Sequence, residues 1–234
     1  MKAHALKQGL CISAGVAAGK LGKATVLNLT AERIELELHL VKDPPRRYPL
    51  SLIVALPRPQ TVKKLLQLAA GSGINEVFFV VTERVVKSYL QSKILHDENI
   101  QHELIKGLEQ AGDTIFPRVH VEPKLEILAG SLKNQAAKAL ALVADTLDFK
   151  NQGFLRELKL SCPEQPVFLA IGPEAGWALR ELDVLFDCGF QSVTLGERIL
   201  RVEVAAAFLL GQVALLREQA VLRRVPGGFP YSGA

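Results

Sequence analysis

Residues 166–210 read PVFLAIGPEAGWALRELDVLFDCGFQSVTLGERILRVEVAAAFLL, and their apolar runs and glycines predict alternating strands and helices. The apolar run 167–171 opens it and stops at Gly172 and Pro173, which is typical of a fully buried strand. Apolar residues then recur at helical spacing, and Gly189 ends this helix because glycine readily adopts the left-handed conformation. The first half of the stretch therefore predicts a strand followed by a helix.

A second strand and a second helix complete the stretch. The run 193–195 stops at Gly196, and residues 201–217 are rich in Ala and Leu, which predicts a long helix. The two glycine loops, 172–176 and 196–201, would then follow parallel strands. Ligands of open α/β sheets bind at such strand ends, and glycine allows close approach of the backbone. By spacing alone, both loops are equally well explained as plain strand-to-helix turns.

The residues of the two loops add information that their spacing does not contain. They read IGPEAGW at 171–177 and LGERILRVE at 195–203. This pair resembles the two C-terminal motifs of the RsmE family, SPOUT-superfamily enzymes that methylate N3 of a uridine in 16S ribosomal RNA. The family pattern is close to IGPEGG followed by Phe or Trp, and then to LGxRILRxETA. The resemblance extends over roughly residues 7–216, including LPRP at 56–59 and LEQAG at 108–112.

The resemblance implies an α/β fold with a knotted, SPOUT-type, mostly parallel sheet that has helices on both faces. A small, shortened PUA-like β domain would precede it. Residues 1–42 would form this partial PUA-like domain and contact RNA, and residues 43–49 would be a linker. Residues 50–220 would form the SPOUT methyltransferase domain, and residues 221–234 a flexible tail. The knot follows from the resemblance alone, because periodicity does not reveal connectivity.

Hydrophobic periodicity supports this division of the chain. It predicts three strands before the linker, at 10–13, 23–29 and 33–41. Three prolines disfavour a helix in the linker, where Arg46 and Arg47 are expected to be a solvated pair. After the linker, strands alternate with helices, as in a mostly parallel sheet. These strands are predicted at 50–56, 76–82, 119–121 and 139–144, and the helices at 62–70, 100–111 and 127–136.

The resemblance also implies S-adenosylmethionine as the cofactor, bound in a bent pose within the knot. The backbone of two loops can hold such a molecule without a metal, and positioning supplies much of the catalysis of methyl transfer. Carried over by position, the cofactor-binding residues are Leu142, Val143, Ala144, Ile171, Gly172, Glu174, Gly176, Leu195, Gly196, Ile199, Leu200 and Arg201.

The proton on uridine N3 is weakly acidic, so the reaction needs a base or strong stabilisation of the anion. The candidate catalytic residues are Arg201, Glu203 and Arg198. Either arginine would stabilise the anion or hold a phosphate, and Glu203 or Glu174 would accept the proton or orient an arginine. The alternatives are structural: Arg201 and Glu203 open a helix, Glu174 caps one, and Trp177 packs instead of stacking on a base.

Three residues depart from the family pattern. Ala175 replaces a glycine and would strain the loop if a positive φ were needed there. Glu197 stands where proline is usual, and Val204 replaces threonine. With the short N-terminal domain, these changes leave two alternatives open. One is a non-catalytic RNA- or ribosome-binding dimer of the same fold, and the other is a methyltransferase that acts on another RNA position.

Composition limits the number of domains, the kinds of site and the cellular compartment that we expect. A chain of 234 residues, 49% of them hydrophobic, can form one or two packed domains, and a net charge of +4 is compatible with RNA binding. Three scattered cysteines indicate a reducing compartment, so we expect a cytoplasmic protein without a metal. No apolar run approaches the roughly 18 residues of a membrane span, so no membrane is expected. The expected partners, implied by the resemblance, are small-subunit ribosomal RNA and a second copy in a homodimer.

Overall fold

The computed structural model describes residues 7–145, 153–154 and 157–224. Within these ranges, the N-terminal part forms a three-stranded antiparallel sheet in the order β1-β2-β3. The strands are β1 Cys11–Gly15, β2 Leu21–Leu29 and β3 Ile34–Lys42, close to the predicted bounds. Three strands are too few to close into a barrel, so apolar side chains such as Leu36 and Leu38 of β3 stay exposed.

Among the described residues, a second sheet contains seven strands, and five α-helices accompany it. In chain order the elements are β4 Leu50–Ala55, α1 Pro59–Gly71, β5 Glu76–Val80, α2 Asp97–Ala111, β6 Arg118–Glu122, α3 Leu125–Ala136, β7 Leu140–Ala144, β8 Gly153–Phe154, β9 Val167–Ile171, α4 Leu179–Asp187, β10 Gln191–Thr194 and α5 Val202–Arg224. The predicted strands and helices are present within a few residues, except at the end of α5. The short strand β8 and two 3₁₀ helices before α2 were not predicted.

The strand order is β6-β5-β4-β9-β7-β10-β8, and all these described strands run parallel. β9 is central, where Val167 is in register with Leu50 on one side and Leu140 on the other. Helix α1 packs against α2 and α5, and α3 packs against α4, as expected around buried parallel strands. Ala144 pairs with both Ile171 and Val193, so the carboxyl ends of β7, β9 and β10 are aligned. The trefoil knot stays a prediction of the resemblance.

Helix α5 is longer than predicted and ends at Arg224 instead of residue 217. Contrary to the sequence prediction, it is long and apolar enough to cross a membrane by length and composition, with a mean hydropathy of 1.3. However, 44% of that window is buried within the protein, and Arg217 donates hydrogen bonds to the carbonyl oxygens of Pro49 and Pro163. These are the contacts of a core helix. The predicted tail begins inside α5, and residues 225–234 lie outside the described ranges.

Arg47 is where the linker departs most from its prediction. Its guanidinium donates to the carbonyl oxygen of Ile74 at 2.8 Å, to that of Ile115, and to a carboxylate oxygen of Asp113 at 3.0 Å. The ion pair is nearly buried, because the side chains of Arg47 and Asp113 are 13% and 5% exposed. The expectation of a solvated residue is therefore wrong for Arg47, which fastens the linker to the large sheet and its loops.

Arg47→Ala is expected to lower the free energy of unfolding by about 3 kcal/mol, because the carboxylate of Asp113 is left buried without its counter-ion. Urea denaturation followed by circular dichroism measures this loss. The matched control is Arg46→Ala, which removes an exposed pair with Glu164 at 2.8 Å. It should cost less than about 1 kcal/mol. Equal losses in the two variants would contradict the role assigned to Arg47.

Candidate active site

A cavity of about 290 Å³ lies where the aligned ends of β7, β9 and β10 meet. The loop after β9 and the loop after β10 form most of its wall, so the two glycine loops enclose a common space. The predicted site residues in this wall are Ala144, Ile171, Gly172, Glu174, Gly176, Leu195, Gly196, Arg198, Ile199, Leu200 and Arg201.

Three predicted site residues do not line the cavity. Leu142 and Val143 are 1% and 0% exposed inside β7, where their side chains pack in the core. Of the three residues predicted on β7, Ala144 alone reaches the wall, because it is the last residue of the strand. Glu203 lies outside the wall as well, in the first turn of α5.

The wall also contains six residues that were predicted neither as cofactor-binding nor as catalytic residues. For Asp145 a signal existed, since a polar residue directly after a strand of an open α/β sheet lies at the usual ligand edge. For Val193, Val202 and Ala205 the sequence carries no such signal, because they reach the cavity only through the packing of β10 and α5. The six residues are Asp145, Pro173, Trp177, Val193, Val202 and Ala205.

Trp177 is a packing residue in this structure. Its side chain is 1% exposed, and its Nε1 donates a hydrogen bond to the carbonyl oxygen of Ala144 at 3.2 Å. A Cβ atom on Gly172 would lie 3.1 Å from Cδ1 and Nε1 of the ring, so glycine makes room for the indole. Trp177 thus joins the loop after β9 to the end of β7, and its burial argues against stacking on a base.

The loop after β9 accommodates Ala175 without the expected strain. Among the described residues, Ala18 is the one non-glycine residue with a positive φ, whereas Gly176 has a φ of +73°. The N–H of Gly176 donates to the carbonyl oxygen of Pro173 at 2.8 Å, which closes a tight turn. The left-handed residue of this turn is therefore Gly176, and the departure at Ala175 leaves the loop conformation intact.

The loop after β10 turns at Gly196, which has a φ of +110°. The hydroxyl of Thr194 donates to the carbonyl oxygen of Gly196 and accepts from its N–H, both at 3.2 Å. Beyond this turn Ile199 is 86% exposed at the cavity rim. Helix α5 begins after Arg201, whose carbonyl oxygen accepts hydrogen bonds from the N–H groups of Val204 and Ala205. The wall thus offers backbone groups and arginines. Among the described residues there is no group of three or more His, Cys, Asp or Glu side chains that could hold a metal ion.

Both candidate carboxylates are paired with cations from the region of α1. Lys64 Nζ lies 2.9 Å from Oε1 of Glu203, and Arg58 Nε lies 4.0 Å from Oε1 of Glu174. The hydrogen bond from Lys64 lowers the pKa of Glu203, and the charge of Arg201 acts in the same direction. A carboxylate with a lowered pKa is a weaker proton acceptor. Glu203 is therefore better suited to orienting an arginine than to acting as the base.

Comparison with known sequences finds matches that cover most of the chain. The sequence model of a family described as RNA methyltransferase domain matches residues 44–214. A protein of Treponema pallidum named ribosomal RNA small subunit methyltransferase E is 31% identical over 230 residues. This alignment covers 94% of the present chain and 82% of the relative.

Solved structures share the fold. A ribosomal RNA small subunit methyltransferase E from Neisseria gonorrhoeae, bound to S-adenosyl methionine, aligns with a TM-score of 0.69 at 24% identity. That alignment covers 93% of this chain and 85% of the other. A probable rRNA-methyltransferase from Porphyromonas gingivalis aligns with a TM-score of 0.72 at 18% identity, covering 92% and 87% of the two chains. At these identities the structural likeness bears on the fold alone.

Lys64→Met is expected to raise the pKa of Glu203 towards its ordinary value of 4.5, because the main group that stabilises the carboxylate is lost. Carboxyl-detected NMR titration measures the change, and Lys63→Met, one residue away, is the matched control. Because the pKa is lowered in the folded state, the pair stabilises the protein above pH 4.5 and loses this effect as the pH falls through the folded-state pKa. An unchanged pKa of Glu203 in Lys64→Met would refute the conclusion that Lys64 lowers it.

Proposed function

Since the chain belongs to the RNA methyltransferase family, and within it to the RsmE family of small-subunit ribosomal RNA methyltransferases, we propose that it methylates N3 of a uridine in 16S ribosomal RNA, with S-adenosylmethionine as the methyl donor. The family predicted from the loops at 171–177 and 195–203 is thereby confirmed. The predicted fold class is confirmed too, apart from the knot.

The shared cavity is the observation that carries this proposal. Both glycine loops and the end of β7 meet in it, and these are the three segments that the family resemblance assigns to S-adenosylmethionine. Gly196 leaves its backbone open at the wall, because a Cβ atom there would meet nothing within 4 Å, as a ligand held by main-chain contacts requires. The volume of about 290 Å³ is near the lower end of the range of small-molecule sites.

The side chains at the cavity suggest a division of roles. When bound, S-adenosylmethionine supplies an electrophilic methyl group. We assign stabilisation of the uridine anion to Arg201 and an RNA phosphate contact to Arg198, since both guanidinium-bearing residues line the cavity. Glu203, which Lys64 keeps ionised, would orient Arg201. The proton that leaves N3 is assigned to Glu174, the glutamate in the cavity wall.

A homodimer is proposed from the outer face of α5. Val204, Phe208, Leu215 and Leu222 recur at helical spacing along this face and are 37–53% exposed. An adjoining groove of about 910 Å³ continues the apolar surface beside Gly211 and Leu222. A self-complementary apolar stripe of this kind suits a twofold interface between two copies. The free thiols of the described chain and the ribosomal substrate both favour the cytoplasm.

The methyltransferase proposal is tested by titrating the protein with S-adenosylmethionine in a calorimeter and by mapping methylated uridines in small-subunit RNA. A dissociation constant near 1 μM, about 8 kcal/mol, is expected. Arg201→Ala should lower the methylation rate at least about 100-fold without changing the unfolding transition. Arg118→Ala, on the distant edge strand β6, is the control and should keep wild-type activity. A wild-type protein that binds RNA but neither binds nor uses the cofactor would favour the non-catalytic alternative.

The homodimer is tested by Phe208→Glu, which places a charge in the middle of the apolar stripe. Sedimentation equilibrium should show about twice the chain mass of 25.5 kDa for the wild type and a single chain for the variant. Ile127→Glu, at a residue of α3 that is 55% exposed, is the control and should not change the mass. A monomeric wild type would refute the proposed interface.

A further inference from the structure

Arg84 follows strand β5 and contacts the first glycine loop from outside the cavity, whereas its neighbour Glu83 contacts the start of α4. Arg84 Nη1 donates to the carbonyl oxygen of Ala175 at 2.8 Å and lies 3.5 Å from that of Gly176. Both carbonyl groups belong to the turn that closes the loop after β9. A single guanidinium thus engages two consecutive peptide groups of a loop that lies about 90 residues further along the chain.

A second set of contacts fixes the position of this cation. The carboxylate of Glu181, whose residue is 3% exposed, accepts from the N–H of Glu83 at 2.7 Å and from the N–H of Ala178 at 2.8 Å. Arg180 Nε lies 2.8 Å from Oε2 of Glu83, but this exposed ion pair contributes little to the fixed position. The buried carboxylate of Glu181 therefore joins the segment after β5 to the start of α4, and Arg84 is held directly against the loop.

We infer that Arg84 is a positioning residue for the first cofactor loop. Peptide groups are planar, so fixing the carbonyl directions of Ala175 and Gly176 also fixes the N–H directions of the residues that follow. Gly176 has a φ of +73° and gains the most conformational freedom when such a contact is lost. Arg84 reduces the entropy that a ligand would otherwise have to remove from the loop. The inference rests on the proposed function only in naming S-adenosylmethionine as that ligand.

The chemistry of the contact favours arginine over lysine. The guanidinium presents several N–H groups in a fixed plane and can serve two carbonyl oxygens from one position, whereas the lysine ammonium is a mobile point charge. Its acceptors are neutral carbonyl oxygens and not a carboxylate, so the contact orients the loop without cancelling the charge of the arginine. By comparison, Arg58 reaches the same loop only through an ion pair of 4.0 Å with Glu174, and its side chain is 72% exposed.

The test compares S-adenosylmethionine binding by the full-length wild type, Arg84→Ala, Arg84→Lys and Arg180→Ala. Arg84→Ala should bind about tenfold more weakly, a factor equal to about 1.4 kcal/mol. Arg84→Lys should fall between it and the wild type. Arg180→Ala is the matched control, since it removes a neighbouring exposed arginine that does not contact the loop carbonyls, and it should change affinity less than about twofold. If Arg84→Ala does not fold, Arg84→Lys serves for the same comparison.

Trp177 provides a readout that does not depend on the cofactor. It is the single tryptophan of the chain, follows Gly176 directly and is 1% exposed. Loosening the loop should therefore make its fluorescence more accessible to acrylamide quenching in Arg84→Ala but not in Arg180→Ala. In steady-state methylation, Arg84→Ala should raise KM for S-adenosylmethionine and leave KM for RNA and its salt dependence unchanged.

Unchanged cofactor affinity and unchanged quenching in Arg84→Ala would overturn the inference. A higher KM for RNA with normal cofactor binding would overturn it as well, because Arg84 would then be an RNA contact. A wild type that does not bind S-adenosylmethionine would instead refute the proposed function. In that case quenching alone decides about Arg84, since greater exposure of Trp177 supports the positioning role and unchanged exposure overturns it.

Discussion

Strand β9 pairs in parallel with both β4 and β7, and this pairing fixes where the other strands and loops of the large sheet lie. All five residues of β9 are buried, and its backbone is paired on both sides. Buried peptide groups must be hydrogen-bonded, so a strand of this kind cannot slip without losing two ladders at once. The same register places the end of β7 beside the end of β9 and, through β10, brings the second glycine loop to the same edge. The cavity is a consequence of this register.

The strand register positions the cavity, and the packing and charge of side chains around it determine its details. Gly172 leaves space for the indole of Trp177, whose Nε1 bonds to Ala144, so the cavity wall is tied together by one buried side chain. Electrostatics then distinguishes the two glutamates, because Lys64 lowers the pKa of Glu203, a residue that lies outside the wall. Helix α5 contributes both to the core and to the outer surface. It buries residues such as Ala206 and Leu209 against the sheet and keeps an apolar stripe on its outer face.

Much of the fold could be predicted from the sequence, for identifiable reasons. Runs such as 167–171 and the helical spacing before Gly189 are local patterns, and burial on parallel strands and amphipathic helices imposes them directly. The predicted end of α5 is Arg217, a residue of a charged type that mostly lies in solvent. In the structure it is 6% exposed and bonded to the carbonyl oxygens of Pro49 and Pro163. The prediction for Arg47 is wrong for the same reason, since the sequence of a charged linker does not indicate a buried ion-pair partner 66 residues away.

The order of strands and helices, the two glycine loops and, through the residues of those loops, the family can be predicted from the sequence alone. These are properties of short stretches, so residues 171–177 and 195–203 carry them without reference to the rest of the chain. Which residues reach the cavity follows from the folded arrangement of the chain, which excludes Leu142 and Val143 and adds Asp145. It also decided that Lys64 pairs with Glu203 and that Arg84 contacts the first loop. The physical reason is that such contacts join groups some 90 to 140 residues apart, and their geometry is fixed by strand register and helix packing, which periodicity does not encode.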